Sequence, residues 1–567
     1  MKLKALTIEN FKGISTETTI LIDDVVVLIG PNNTCKSTIL DAYEAYESIG
    51  SARPVEDFHK KDTSLPISII GIFTEITSDD LETIGSEWLI EEDKNFGRCS
   101  KFKIVWEKPD QPGTKYSFSG TKHVWVKGGA GGWDTKLKSR IPTSIRINPD
   151  NNHEPLEKVV KELAAKNAEE LISKDKGKLA RIINEIETLA REVDSEISSQ
   201  TSSVTKLIND EIKKIFNNVS VSFETGVGKF KAEDAIKDGS RFVINSNGND
   251  TTLNYQGSGV RRAFLWAAIS ALCNDGLYKK GRQKVGSEEP KVLLIDEPEI
   301  NLHPSLVRSA QKAIYAIAKL TGWQVICTTH SPCFVDLTAD HTTIISTSAS
   351  SAGVRYFQTD KAKFSEDEKE NLKMLLLCSP STNEFFFYEK SILVEGDTEF
   401  LTFKYLAEKQ GLASEVCVIN CRGKANIPTF IKIFNQFQAC AFAVHDLDTP
   451  LNKDGSKNAM WTINYRIREA ADLTNGRVET CYHNPDIEGY YLNESPKKDK
   501  PYNMSTHLTA ADFDSSPKYR LLRGSLSALL TKVHPNIYDD VGVFKNFEKS
   551  AELEVEEVHS SQEEEVH

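Results

Sequence analysis

Two short apolar runs open the chain. LKALTIENF (3–11) and ILIDDVVVLIG (20–30) read as two strands around a turn. The second ends in Gly30, and a Gly/Asn/Pro-type turn and a helix follow. An apolar strand that runs through such a turn into a helix is the layout of a phosphate-binding loop. The β-branched segments ISIIGIFTEI (67–76) and KFKIVWE (101–107) continue a sheet, and GGAGGW (128–133) reads as a loop. From 156 to 216 the pattern changes to spacings of three and four, marked by Val159, Leu163, Leu171, Leu179, Ile182, Ile183, Ile186, Leu189 and Val193. That amphipathic stretch is either a helical hairpin packed on its own domain or a dimerisation insertion. Strand and helix patterns return from Val219 to Thr347, and the polar stretch 348–372 reads as a linker. Near Glu384 a second α/β unit begins, with strands SILVEG, SEVCVINC and ACAFAVHD alternating with helices. Such alternation predicts βαβ units in a mostly parallel sheet.

Length and composition narrow the picture. The 567 residues allow three or four units at roughly 150 residues each. Apolar residues make up 39% and charged residues 27%, with no apolar run near a membrane span and no secretory leader in MKLKALTIENFKG, so membrane and exported proteins are not expected. Net charge is −13, but the tail Ser550–His567 holds seven Glu and no Lys or Arg, which leaves −6 for the rest. A mildly acidic body can still carry local basic stripes for phosphates. The tail itself reads as disordered. Ten cysteines without a CxxC pair argue against a zinc ribbon and fit a reducing cytoplasm.

The first chemical motif is Gly30-Pro31-Asn32-Asn33-Thr34-Cys35-Lys36-Ser37-Thr38. It matches the phosphate-loop pattern GxxxxGK[ST], except that Cys35 stands where the second glycine is expected. Its backbone N–H groups would cradle the β-phosphate of ATP, with Lys36 near the β/γ oxygens and Ser37 on Mg²⁺. If position 35 needs a positive φ, a side chain there costs about 1–2 kcal/mol. Binding is then expected to survive and hydrolysis to be slow or absent. Far downstream, KVLLIDEP ends a strand in Asp296, which would hold Mg²⁺ through water, and Glu297, which would activate the attacking water. QVICTTHSP ends another strand in His330, within reach of a γ-phosphate. Gly257-Ser258-Gly259 opens a helix and would present N–H groups to an anion.

The second set is acidic. Glu395 ends the strand of SILVEGDTE, and Glu399 returns to the same side one helical turn later. Asp446 and Asp448 in HDLD share one face of an extended chain, and NPDIEG adds Asp486 and Glu488. Carboxylates gathered at strand ends call for a hard divalent cation, Mg²⁺ or Mn²⁺, and two such ions could serve phosphodiester hydrolysis. Gly423-Lys424-Ala425-Asn426 is a close-approach loop. The runs Lys279–Lys284 and Lys497–Lys500 are either DNA contacts or solubilising faces.

The four motifs of the first half, with Asn10-Phe11-Lys12-Gly13 and EPEINLHP (297–304), resemble ABC ATPases of the SMC/RecF/OLD group. In that group the Gly-Ser-Gly segment completes a partner's nucleotide site, which implies a homo-oligomer, a dimer or higher. LVEGDTE and HDLD resemble the Toprim domain of the OLD nuclease family, so the likeness covers nearly the whole chain. It implies an α/β protein with an ABC ATPase in two parts (1–155 and 217–350) around a helical dimerisation insertion (156–216). A linker (351–383), a Rossmann-like Toprim nuclease domain (384–548) and an acidic tail (549–567) would follow. It also implies Glu395, Glu399 and Asp446 as metal ligands, with Asp448 and Asp486 or Glu488 completing the sites and Lys518 as the candidate assisting lysine. The expected function is an ATP-binding, metal-dependent endonuclease of double-stranded DNA in the cytoplasm. Its kin include antiphage effectors partnered by a reverse transcriptase/ncRNA complex or a helicase. The rivals are a RecF-like repair ATPase with a non-cleaving Toprim unit, and a topoisomerase or primase. Five carboxylates exceed what binding alone requires, and no primase zinc module is present.

Overall fold

The computed structural model describes residues 1–148, 202–224, 241–359 and 380–550, with short gaps inside those ranges that include Asn32, Asn33 and Ser258. Most of the 156–216 stretch and the tail 551–567 lie outside the described residues. Two compact units are present: Met1–Asp336 with Asp340–Tyr356, and Leu337–Ala339 with Phe357 onward.

The first unit holds two larger sheets. One is seven-stranded and antiparallel along its path, ordered β2 (Thr18–Leu21), β1 (Lys2–Glu9), β4 (Ile67–Thr74), β6 (Gly97–Trp106), β7 (Thr114–Ser119) and β8 (Val124–Lys127), with β5 (Ile90–Asp93) on β6. The other is six-stranded, ordered β18 (Gly353–Gln358), β17 (Thr342–Ser350), β3 (Val25–Ile29), β16 (Trp323–Thr329), β15 (Lys291–Asp296) and β9 (Thr143–Ile147). From β17 to β9 every pairing is parallel. Strands β3, β15 and β16 are buried along their whole length, which is why they read as unbroken apolar runs rather than alternating ones. Helix α1 (Lys36–Glu47) contributes Ile39, Leu40, Tyr43 and Tyr46 to one core with residues of both sheets, such as Phe73, Phe102, Leu28 and Leu294.

Two sequence expectations change here. ILIDDVVVLIG is not one strand. It breaks at Ile22–Asp24 into β2 and β3, which belong to different sheets. The Asp23 carboxylate accepts the Asp24 N–H at 3.0 Å, a local bond that competes with a continuous ladder. The polar stretch read as a linker from 348 also contains β18, next to β17.

Between these strands lie the antiparallel β10 (Val219–Glu224), β11 (Arg241–Ser246) and β12 (Asn249–Thr252) and the two-residue hairpin β13 (Lys279–Lys280) and β14 (Gln283–Lys284). Part of the 156–216 stretch is described: residues 204–213 are helical and bury Val204, Ile208 and Ile212, four residues apart. Helix α2 (Pro304–Ile317) leads from β15 towards β16.

The second unit is a five-stranded sheet ordered β20 (Val416–Asn420), β19 (Lys390–Val394), β21 (Cys440–Asp446), β22 (Val478–His483) and β23 (Ile537–Tyr538). All pairs are parallel except the edge pair β22–β23. Its helices are α3 (Asp397–Lys409), α4 (Ile427–Gln436), α5 (Ala459–Asp472), α6 (Ile487–Leu492), α7 (Lys500–Leu508) and α8 (Arg520–Leu530). The β19-α3-β20-α4-β21 alternation is the βαβ arrangement the sequence predicts. The carboxyl ends of β19 and β21 are neighbours in register, Val394 opposite Val444, so Glu395 and Asp446 emerge side by side. Among the described residues, no helix is long and apolar enough to cross a membrane.

Candidate nucleotide site and candidate metal centre

At the end of β3 the chain turns through Gly30, with φ 142°. A Cβ on Gly30 would meet the Thr347 carbonyl oxygen and Oγ1 at 2.4 Å, so β17 requires glycine there. Thr34 Oγ1 lies 2.5 Å from Thr347 Oγ1 and donates to the Pro31 carbonyl at 2.7 Å. Cys35 caps α1 in the left-handed conformation, φ 59° and ψ 30°. A Cβ on Gly13, in the turn after β1, would come within 1.8 Å of the Cys35 Sγ. The bare Gly13 therefore makes the space that the cysteine thiol fills. Asn32, Asn33 and Ser258 fall outside the described residues.

Lys36 is 7% exposed and donates to the carbonyls of Gly30 at 3.0 Å and Pro31 at 2.8 Å. Burial lowers its pKa, opposed by the charges of Glu297 and Asp296. The Ser37 hydroxyl donates to Asp296 Oδ1 at 2.9 Å, which joins the start of α1 to the end of β15. Thr38 is buried behind it in α1. Asp296 also accepts from Thr328 Oγ1 on β16 and pairs with Arg146 on β9 at 3.2 Å. Arg146 reaches Asp41 at 3.2 Å and Glu44 at 3.5 Å as well, so one guanidinium ties α1 to two strands. Glu297 sits at φ 50° with its N–H on the Thr328 carbonyl at 3.0 Å, and its carboxylate lies 3.6 Å from His330 Nε2. Burial, then the Lys36 charge, lowers the His330 pKa. Glu299 receives the His330 N–H at 2.5 Å and the Thr329 hydroxyl at 2.8 Å, and burial raises its pKa. The described members of all three separated motifs thus meet at the carboxyl ends of β3, β15 and β16.

In the second unit Glu395 leaves β19, and its Oε2 accepts the Asp446 N–H at 3.3 Å. Glu399, third residue of α3, accepts the Gly396 N–H at 3.2 Å. Asp486 caps α6 by accepting the Gly489 N–H at 2.8 Å, and Glu488 follows in its first turn. These acids press on one another. Glu399 is pushed up to about 7, first by burial and then by the charges of Glu395 and Glu488. Asp446 is held well above the usual range by burial, then by Glu399, Glu395 and Asp486, with Lys500 opposing. Burial raises Glu395 and Glu488 too. Asp446 Oδ1 and both carboxylate oxygens of Glu488 are buried without a hydrogen-bond partner. Orphaned buried anionic oxygens are costly, and a divalent cation is the group that fits such a donor set.

Two lysines stand among these acids. Lys424 Nζ lies 2.5 Å from Asp448 Oδ2. Lys500 Nζ lies 2.6 Å from Asp486 Oδ2 and 3.6 Å from Glu488 Oε2. Lys518, singled out in the sequence, instead pairs with Glu494 at 2.9 Å on an exposed surface. Behind Asp446, the neutral His483 places Nδ1 at 4.0 Å from Oδ1 and its Nε2 at 3.3 Å from Tyr491 OH. Burial lowers its pKa to about 3. The described residues also bring Asp23, Asp24 and His341 together, with ligand atoms within 4.8 Å. Asp24 there is paired with Lys2 at 2.6 Å, and exposed surface acids cluster for many reasons. The orphaned oxygens mark the second unit as the stronger metal candidate.

Sequence reasoning missed Arg146, Thr328, Glu299 and Lys500 as members of these sites. Glu299 stood inside a quoted motif and Lys500 inside a quoted basic run. Arg146 has no motif, and only the adjacency of β9 and β15 reveals it.

Residues 1–117 and 133–335 match the AAA ATPase domain family, and residues 386–448 match the overcoming lysogenization defect protein-like TOPRIM domain family. The Old nuclease of Escherichia phage P2 is 24% identical over 462 residues, 77% of this chain and 75% of that protein. The OLD nuclease of Thermus scotoductus is 22% identical over 539 residues, 91% of this chain and 96% of that protein. Among solved structures, the Smc head domain from Pyrococcus furiosus bound to the C-terminal domain of ScpA is 13% identical. It covers 66% of this chain and 99% of its own, with a TM-score of 0.42. With its ATPase motifs joined in space and its acids set at the ends of a parallel TOPRIM sheet, the chain belongs to the OLD family: an AAA ATPase domain followed by an OLD-like TOPRIM domain.

Proposed function

We propose that the chain is an ATP-binding, divalent-metal-dependent endonuclease of double-stranded DNA, with cleavage in the TOPRIM unit under control of the ATPase unit. The observation that carries the reading is the buried acidic group of the second unit, in which Asp446 Oδ1 and Glu488 Oε1 have no hydrogen-bond partner and Glu488 Oε2 has only the Lys500 ammonium at 3.6 Å. Binding DNA requires basic groups, not uncompensated buried acids, so this set speaks for cation-assisted chemistry. The nuclease names of the relatives from phage P2 and Thermus scotoductus, which align over most of this chain, support the same reading.

Glu395, Glu399, Asp446 and Glu488 would hold Mg²⁺ or Mn²⁺, with Asp448 and Asp486 fixed by lysines at the rim of the group. A bound divalent ion supplies charge stabilisation to the phosphodiester oxygens. Lys500, next to Asp486 and Glu488, is better placed than Lys518 to offset phosphate charge at this group. In the ATPase unit, Lys36 would turn from its loop carbonyls to phosphate oxygens, and Ser37 and Asp296 would hold Mg²⁺. Glu297, close to His330, would orient the attacking water. The left-handed Cys35 favours binding over brisk turnover, because in-line transfer depends on positioning. ATP then acts as a ligand that favours one assembly state of a homo-oligomer. The biological role we assign is antiphage defence.

Supercoiled plasmid incubated with the protein and Mg²⁺ or Mn²⁺ tests the reading. Nicked or linear product that disappears with chelator is the expected result. Intact plasmid under every metal and nucleotide condition would overturn it.

A further inference from the structure

His483 is a buried side chain that the reading above does not use. It ends β22, 0% exposed, and is the register partner of Asp446 at the end of β21. Asp446 Oδ1 and His483 Nδ1 are both buried without a hydrogen-bond partner, and they lie 4.0 Å apart. A shift of about 1 Å brings such a pair into hydrogen-bond range. Groups further back decide which nitrogen of His483 carries the hydrogen. The Asn536 N–H lies 3.3 Å from His534 Nδ1, and a backbone N–H can only donate, so that nitrogen is bare. The Cys481 thiol, at 3.2 Å, is a second donor to it. Burial lowers the pKa of His534 and keeps its ring neutral, so Nε2 carries the hydrogen. That N–H donates to the Tyr491 hydroxyl oxygen at 2.8 Å. The Tyr491 O–H is then free to donate to His483 Nε2 at 3.3 Å, and the neutral His483 ring carries its own hydrogen on Nδ1, toward Asp446.

The competing arrangement turns the Tyr491 hydroxyl to Ser525, its other polar neighbour. His483 would then carry its hydrogen on Nε2 and set a bare Nδ1 against a carboxylate oxygen. Two facing lone pairs in a buried space are costly, which favours the first arrangement. Asp446 is gripped through its backbone as well. His445 Nδ1 donates to the Asp446 carbonyl at 2.9 Å, and its Nε2 accepts from the Tyr538 hydroxyl at 2.7 Å. The Asp446 side chain is 20% exposed while Oδ1 is buried, so its open face is the one away from His483. We propose that His483 is a positioning residue for Asp446: its Nδ1–H holds Oδ1 and turns the open face of the carboxylate toward the ion, and the Asn536 N–H sets that donor through His534 and Tyr491. The proposal rests on the metal-site reading above and deepens it. A donor behind a ligating carboxylate fixes its orientation and offsets part of its charge.

Histidine ring nitrogens report this before any ion is added. In the metal-free full chain labelled with nitrogen-15, the His483 ring is assigned by nuclear magnetic resonance through its connectivity to its own backbone. It is expected to be neutral with the hydrogen on Nδ1. A hydrogen on Nε2 would overturn the proposal and leave the metal-site reading standing. Mn²⁺ affinity is the second readout, with Asp446→Asn identifying the binding that belongs to this site. His483→Leu removes the donor and is expected to weaken that binding by about 10–100-fold. His483→Asn returns an N–H near the place of Nδ1 and should stay within about threefold of wild type, although it loses the Tyr491 contact as the leucine does. Equal losses in the two variants would mark His483 as a packing residue and overturn the proposal, as would an unchanged affinity in His483→Leu. Where neither variant folds, the tautomer of the wild type decides. No Asp446-dependent Mn²⁺ binding in wild type would overturn the metal-site reading itself, and the proposal with it.

Discussion

Glu399 is an acid whose folded environment resists its charge: it is 4% exposed, and its pKa rises to about 7 from an ordinary 4.5. Because the folded value is raised, the fold binds this proton more tightly than the unfolded chain does. Its contribution to stability is full below pH 4.5 and is lost as pH climbs through 7. The metal-stripped protein should therefore lose melting temperature between pH 5 and pH 8, and Glu399→Gln should lose less. Added Mn²⁺ should raise the melting temperature more at pH 8 than at pH 5.5, since ion and proton compete for one carboxylate. Equal Mn²⁺ shifts at both pH values would remove Glu399 from the ion's surroundings. At this scale the carboxylates were legible because strand-end acids follow apolar runs in the chain. The cations that answer them, Lys424, Lys500 and Arg146, were not legible as partners, since their acids are distant in sequence or hidden by burial.

The turn after β1 and the start of α1 act as one piece. Cys35 stands in a left-handed position usually kept for glycine, and Gly13 leaves the space its thiol occupies. Gly13→Ala should cost about 1–3 kcal/mol through overpacking. The double variant Gly13→Ala, Cys35→Gly should recover most of that, which a denaturant-melt cycle would measure. Additive losses would show that the two residues do not share the space. Cys35→Gly alone should speed phosphate release from ATP by about tenfold or more with affinity little changed, if the left-handed side chain costs about 1–2 kcal/mol in the cradle. Unchanged turnover would show that the loop tolerates cysteine. The strand-turn-helix order of this element was plain in the sequence. The division of ILIDDVVVLIG between two sheets was not, because two adjacent aspartates within an apolar run read as a brief polar interruption until the Asp23 to Asp24 bond is seen.

For the molecule as a whole, the alternation of strands and helices predicted a parallel sheet in the second unit, whereas the parallel sheet that sets β3, β15 and β16 side by side appears only in the structure. The antiparallel sheet that shares α1's core was less legible, since alternating strands do not name their partners. A closed dimer is the assembly we expect, because a segment such as Gly257–Gly259 serves a nucleotide site from outside its own chain in the resemblance the sequence carries. Light scattering with and without ATP should give at least a dimer, and a monomer in both states would contradict it. The central claim is that one chain carries a separable nuclease site beside its nucleotide site. It is tested most directly by comparing wild type with Asp446→Asn on supercoiled plasmid at matched Mn²⁺, with ATP affinity measured on both. Loss of one metal ligand should lower cleavage by at least about a hundredfold, since charge stabilisation of several kcal/mol is removed, while ATP affinity stays unchanged. Cleavage by Asp446→Asn within a few-fold of wild type would contradict the account.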